Sequence, residues 1–491
     1  MKKMIKLGLL ALVGGGSLMA NDVSRSYFNV RPFQPPVVGQ NLLVDQATET
    51  GRVLRMNAIE TSFFAGQSTE AAELARYFFF DGKDELTVRE TDPANHAAEF
   101  NQDILAVNFN LETGTGDFHS TIKIRPQQTF YGVGLSGRVH FRDKFWLAVE
   151  APIVHVKNNM KLTENVVDAS GGAATTNGFN SLADVGTMVD AFKQAGMTYG
   201  KIDGARSKTR LADLTIKIGY DSPRFNRKDL FMNMYAGLVL PTGNKAKGIY
   251  MFEPIAGNGG HTAFMFGTHG EIHSRKFRNG DLWLSWGAQS QYLFQNTQKR
   301  SFDLSLNGAW SRYLSMFETA AKRTTGGPAS ATWGINLLTQ DAKVTPGYTG
   351  TFDTAIHYVG QKYYGNVGYS TFIRQAEKVE LANTWQYPEA TITAYDLVAD
   401  DTNRFRQIGK EFVALQEPTT ASSITIKEGD INLGSAAHPA AVSHMFQGTF
   451  GYHDPSKKRP YVVEGGASYE FSRQNTAMNR WGIFGKVRIS F

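Results

Sequence analysis

The densest group of proton- and metal-handling side chains is His269-Gly-Glu271-Ile-His273. Spaced two apart, the three polar residues share one face of an extended strand. The helical zinc motif His-Glu-x-x-His instead needs its histidines one helical turn apart. The row is able to hold a metal, and a polar row facing water accounts for it equally well. Ser443 and His444 are adjacent, so on a strand they point to opposite faces and make no nucleophile–base pair. Gly257-Asn-Gly-Gly260 lacks the Lys-Ser/Thr of a phosphate-binding loop and reads as a loop tip. The chain has no cysteine, which excludes disulfides and thiolate metal sites. No enzyme activity, metal or cofactor is expected.

What must position such a row is two-residue alternation, and it recurs along most of the chain. At the C-terminus, Trp481, Ile483, Val487, Ile489 and Phe491 share one face; Gly482, Phe484, Lys486, Arg488 and Ser490 share the other. The same rule groups Leu105, Val107, Phe109 and Leu111; Tyr131, Val133, Leu135 and Val139; and Leu214, Ile216, Ile218 and Tyr220. Phe264, Phe266 and Ile272 oppose His269, Glu271, His273 and Arg275. The link at 142–144 is so short that its flanking strands must be antiparallel. Other short links fall near 112–117, 222–229, 277–281, 360–363 and 453–459. Long ones cover 66–103, 158–210, 296–350 and 375–440. Short turns at one end and long loops at the other predict an all-β chain: a transmembrane antiparallel β-barrel of about fourteen strands, within about twelve to sixteen. The turns would be periplasmic and the loops extracellular.

The first twenty residues have the pattern of a signal peptide: Lys2, Lys3 and Lys6, then the apolar stretch Leu7 to Val13, then Ser17-Leu-Met-Ala20. The apolar run is too short to span a bilayer as a helix. Residues 21–52 carry Pro32, Pro35 and Pro36 and do not alternate. They are expected to be a periplasmic N-terminal segment or a plug, with the barrel occupying 53–491. Helical patterns at Leu182–Ala195 and Arg374–Thr384 suggest ordered caps in the loops. Of the formal charge of +6, three units belong to the leader lysines. The remainder is too balanced for a nucleic-acid surface, and none is expected as a partner.

Two stretches carry a resemblance. Ala212-Asp-Leu-Thr-Ile-Lys217, followed by Gly237-Leu-Val-Leu-Pro-Thr-Gly-Asn244, resembles consecutive strands of outer-membrane transport barrels similar to the fatty-acid channel FadL. It is nearest the phenol-degradation MetA-pathway branch, where a strand ending Leu-Pro-Thr-Gly opens a glycine-rich external loop. The match covers roughly residues 211–270. It implies uptake of hydrophobic compounds and, in the FadL group, an N-terminal hatch. The physics agrees locally: Pro241 ends ladder donation and Gly243 lets the chain turn.

The phasing assigns to the lumen Lys123, Arg125, Arg138, Lys217, His269, Glu271, His273, Arg275, Glu464, Glu470, Lys486 and Arg488. It also puts Glu150, Asp213, Asp353 and Arg374 there. Charges of both signs inside a barrel imply a hydrated path, and the basic excess suggests a weak preference for anions. The terminal residues Trp481, Ile489 and Phe491 are expected to form the signal read by the barrel-assembly machinery. The expected function is a porin-like channel in the outer membrane of a Gram-negative-type bacterium, passing small solutes, hydrophobic or aromatic ones included. The alternative is a surface barrel with a closed lumen whose long loops bind partners. Outer-membrane lipid and lipopolysaccharide are expected neighbours, and both monomer and trimer remain open.

Overall fold

The structure, a computed structural model, describes residues 24–33, 57–89, 103–111, 118–141, 144–168, 185–221, 230–305, 307–319, 321–322, 331–392, 398–399, 405–406, 425–454 and 459–491. The proposed signal peptide lies outside the described residues, as do 34–52 and the turn near 112–117.

Alternation of apolar and polar side chains becomes thirteen long strands. These are β1 (Ala58–Ser68), β2 (Gln127–Phe141), β3 (Phe145–Asn159), β4 (Ala205–Leu211), β5 (Leu214–Asp221), β6 (Leu230–Leu240) and β7 (Ala263–Phe277). There follow β8 (Gly280–Leu293), β9 (Gly347–Gly360), β10 (Tyr363–Arg374), β11 (Ala441–Asp454), β12 (Tyr461–Phe471) and β13 (Arg480–Ser490). Each pairs antiparallel with its neighbours, and β13 returns to β1, with Ala58 opposite Ser490 and Ser68 opposite Arg480. Strands β4 and β5 are stacked end to end against β3, which pairs with β5 through Phe145–Glu150 and with β4 through 153–159. The result is a closed twelve-strand barrel plus one extra strand.

The expected count of fourteen is therefore corrected. Alternation at 105–111 and 119–125 is real but too short, since a membrane-crossing strand needs about nine to eleven residues. His119–Lys123 joins Glu85–Arg89, Thr163–Asp168 and Ile104–Leu105 in a separate small sheet, and Ala106–Phe109 is a 3-10 turn. Of the two helical patterns, the first holds one short helix at Met188–Ala191. The second is extended: Lys378–Leu381 pairs with the strand Thr339–Thr345.

No described helix is long and apolar enough to cross a membrane, which says nothing of the strands. Their outward rows are exposed and apolar, among them Phe63, Leu135, Ile218, Phe266, Phe352, Ile356, Val367, Phe450 and Ile483. Such a belt costs nothing when lipid covers it. Val367, 70% exposed and near the middle of β10, is the sharpest test. Val367→Arg is expected to cost about 2–4 kcal/mol at the bilayer midplane, read as a lower unfolding midpoint on denaturant titration in lipid. A cost below that of Asn366→Arg would invert the inward and outward assignment.

The longer connections gather at one end and fold into a cap with its own core. Helix α1 (Ala71–Phe78) presents Leu74, Ala75, Tyr77 and Phe78 to that core. They meet Phe79, Phe109, Phe192, Trp310, Tyr313 and Trp333. A second cluster, with Phe302, Leu338 and Trp385, lies beside it. His438, wholly buried in the cap, packs edge-on against Phe28, its ring centroid 5.3 Å away. Burial, together with the guanidinium of Arg374, holds its imidazole well below the usual range. The folded cap keeps it neutral while the unfolded chain protonates near pH 6.5. Stability contributed there is intact above that pH and falls on acidification, by up to about 1.4 kcal/mol per pH unit. Limited proteolysis of the cap between pH 7 and pH 5 is expected to accelerate, and His438→Asn to flatten the dependence.

Candidate functional site: the barrel lumen

Inward positions of the strands bring distant charges into pairs. Near the turn end, Arg138 meets Asp221 at 3.1 Å and lies 4.2 Å over the Trp146 ring. Trp146 donates to the same carboxylate at 2.9 Å. Lys217 pairs with Glu150 at 2.6 Å, His269 with Glu271 at 2.8 Å, and Lys486 with Glu464 at 2.9 Å. Tyr364 also donates to Glu464. Arg488 stands opposite Glu60 in the β1–β13 register. Glu470 accepts from both Arg480 at 2.7 Å and Arg31 at 3.2 Å.

Of the other residues assigned to the lumen, Lys123, Arg125 and Arg275 are placed elsewhere, while His273 stays on the inward face opposite Trp283. Lys123 pairs with Glu85 and Arg125 with Asp84 in the cap sheet and its flank, away from the barrel strands. His273 turns to Asp281 at 2.9 Å and stacks edge-on against Trp283. A register shift between His273 and Arg275 then pairs Arg275 with Leu282, on the face that carries exposed Leu284. One extra residue, Ser274, reverses the facing of everything after it. His269, Glu271 and His273 thus do not converge, and no group of three or more such ligands gathers among the described residues. Trp481, Ile489 and Phe491 are exposed on the outer face, and the Phe491 amide donates to the Asn57 carbonyl at 2.9 Å.

Two features escaped sequence reasoning. Arg480 continues the inward row of Gly482 and Phe484, so its alternation was the available signal. Residues 24–33 offered none, yet they run from the cap into the lumen with a buried polar anchor every two or three residues. Ser24 donates to Asp303 at 3.1 Å and accepts from Arg312 at 3.0 Å. The Arg300 guanidinium lies 3.2 Å over the Tyr27 ring. Asn29 donates to Glu377 at 3.2 Å and its carbonyl accepts from Arg374. Arg31 reaches Glu470, and Phe33 sits against Phe64 and Phe130, with centroids at 5.5 and 4.9 Å.

The stretches that carry the family resemblance meet in space. Thr242 donates to the Ala212 carbonyl and accepts from the Leu214 amide, bridging the break between β4 and β5. The Asn258 amide donates to Asp213 at 2.6 Å. A Cβ on Gly257, whose φ is +93°, would lie 2.7–3.0 Å from that carboxylate, so glycine lets the loop close on it. The loop 241–262 is thereby drawn inward over the lumen.

Two of the cavities bordered by described residues run along the lumen. The one at the turn end, about 1770 Å³ with its open mouth, is lined by Glu60, Arg138, Lys217, Tyr235, Asp353 and Lys486 among others. The one below the cap, about 1250 Å³ on the same basis, is lined by Phe130, Val154, Asn258, Leu293, Arg374 and Arg480 among others. Arg31, Phe33, Asp213, Thr215 and Gln289 border both.

No family model matches the chain, and no curated protein matches it. Among solved structures it is similar to an outer-membrane channel from Pseudomonas putida F1, with 8% identity over 90% of this chain and 99% of that one and a TM-score of 0.37. It is similar to a Pseudomonas aeruginosa FadL homologue, with 9% identity over 96% and 98% and a TM-score of 0.28. The transport unit of the Escherichia coli autotransporter AIDA-I is a third, with 8% identity over 92% and 96% and a TM-score of 0.32. At these TM-scores the likenesses add nothing to the strand pairing, which by itself makes the closed barrel.

Proposed function

We propose that the protein is an outer-membrane channel for passive passage of small solutes, hydrophobic or aromatic ones included. Residues 24–33 act as a plug that narrows the path, and the C-terminal strand ending at Phe491 serves as the assembly signal. The observation that carries the reading is the pair of lumen cavities meeting at Arg31 and Phe33, inside a wall whose outer face is apolar. The lining mixes ion pairs with aromatic side chains, which suits a hydrated path that also accepts apolar bodies. Refolded full-length protein in a planar bilayer is expected to conduct. Phe33→Ala, which removes the ring between Phe64 and Phe130, is expected to raise the conductance.

The folded cap favours a second reading, a closed barrel whose loops bind a partner at the surface. Its apolar core is built from several loops at once, more order than a passive fringe needs. Absence of current in both the natural chain and Phe33→Ala would select that reading.

A further inference from the structure

The cavity below the cap has an asymmetric distribution of charge. Its charged lining residues, among those described, are Arg31, Arg374, Arg480 and Asp213. Counting strands around the closed ring, β5, which follows Asp213, is six steps from β11 in either direction. Arg374 ends β10, beside β11, and Arg480 begins β13, two places beyond it. All three charges lie at the loop end of their strands, so the guanidinium pole and the carboxylate face each other across the lumen.

The two poles are partnered differently. Arg31 and Arg480 share the one carboxylate of Glu470, and Arg374 gives its hydrogen bond to the Asn29 carbonyl. Asp213 is held by backbone amides of the inward loop, and no ion pair to it occurs among the described residues. Between the poles the wall is uncharged and mixed: Phe33, Phe130, Val154, Val239, Leu293 and Phe372 alternate with polar groups such as Gln289, Gln291, Thr349 and Thr351. Opposed charges across an uncharged gap create a transverse field that orients a dipolar solute.

We propose that this cavity binds small zwitterions with an apolar body, the carboxylate toward Arg374 and Arg480 and the ammonium toward Asp213. A solute with one charge satisfies one pole and leaves the other desolvated and unpaired, whereas a zwitterion meets both. The inference rests on the channel reading for its biological use, but the binding site stands or falls separately.

The test uses full-length protein in detergent and phenylalanine as probe, followed by saturation-transfer NMR. N-acetylphenylalanine removes the ammonium and phenylalaninamide removes the carboxylate, so the unaltered protein alone reports on both poles. Each is expected to bind about tenfold more weakly than phenylalanine, the loss of one charge-assisted contact. Asp213→Asn is expected to weaken phenylalanine about as much while leaving N-acetylphenylalanine unchanged. Equal binding of the three probes, or a phenylalanine affinity untouched by Asp213→Asn, would overturn the site. If the variant does not refold, the probe series decides. Liposome swelling with phenylalanine against a neutral sugar is run in parallel. Binding without swelling for either solute keeps the site and removes the channel; swelling without selective binding does the reverse.

Discussion

Glu470→Ala is expected to destabilise the protein by about 3–5 kcal/mol, because it strands the buried Arg480 and the half-buried Arg31 at once. Arg480, 4% exposed, and Arg31 both direct their guanidinium groups to this carboxylate, and Ser443 donates to it as well. The partners lie on β11, on β13 and in the N-terminal segment, so the loss is felt both in the wall and in the lumen. A lower temperature for the loss of the compact band on a heat-modifiability gel is the expected readout. Release of residues 24–33 from the lumen should accompany it, detected as faster proteolytic trimming of the N-terminus. A midpoint within a degree or two of the natural chain would mean that the cluster is hydrated and contributes little. The double variant Glu470→Ala with Arg480→Leu should recover part of the loss, since it removes one of the stranded charges.

Trp310→Ala is expected to have a comparable effect, about 3–5 kcal/mol, confined to the cap. The indole is 1% exposed and contacts rings of Phe79, Phe80, Phe192 and Tyr313. Its N–H donates to the Phe78 carbonyl at 2.9 Å, at the end of α1. Truncation opens a cavity where three loops meet and leaves that carbonyl without its partner. The strands do not touch it, so the barrel should keep its heat-modifiable migration while protease cuts the loops. Equal loss of barrel and cap would show that the two fold as one cooperative unit.

The barrel wall was legible because a wall with an apolar outer face displays its pattern in the local sequence. Most wall strands carry apolar residues on one face, as in Phe264 and Phe266 or Ile483 and Val487, and the terminal strand does so through Phe491 with Gly485 as the one break. What alternation reports is facing, not destination. Ile122 and Ile124 alternate as cleanly as a wall strand, yet they feed the core of the cap. Arg275 was phased from His273 across Ser274, and a bulge is invisible until the partner strand is known. Charge partners are harder still. Nothing near Arg31 in sequence announces Glu470, and nothing near Ser24 announces Asp303 and Arg312. The resemblance at 211–270 pointed to a real junction, in which Asp213, Thr242 and Gly257 hold one loop against one break in the wall.

The grip on residues 24–33 has a consequence for the order in which the molecule is built. Ser24 bonds a residue 279 positions away, and the Arg31 carbonyl accepts from one 449 positions away. Residues 24–33 can complete these contacts only after Asp303 and Arg480 have been made. Contacts of such long range are slow to form, because loop-closure entropy is met before any contact rewards it. The segment must therefore stay extended, and accessible to chaperones, until β12 and β13 have joined the wall. The seating of this segment is thus expected to be a late step of maturation.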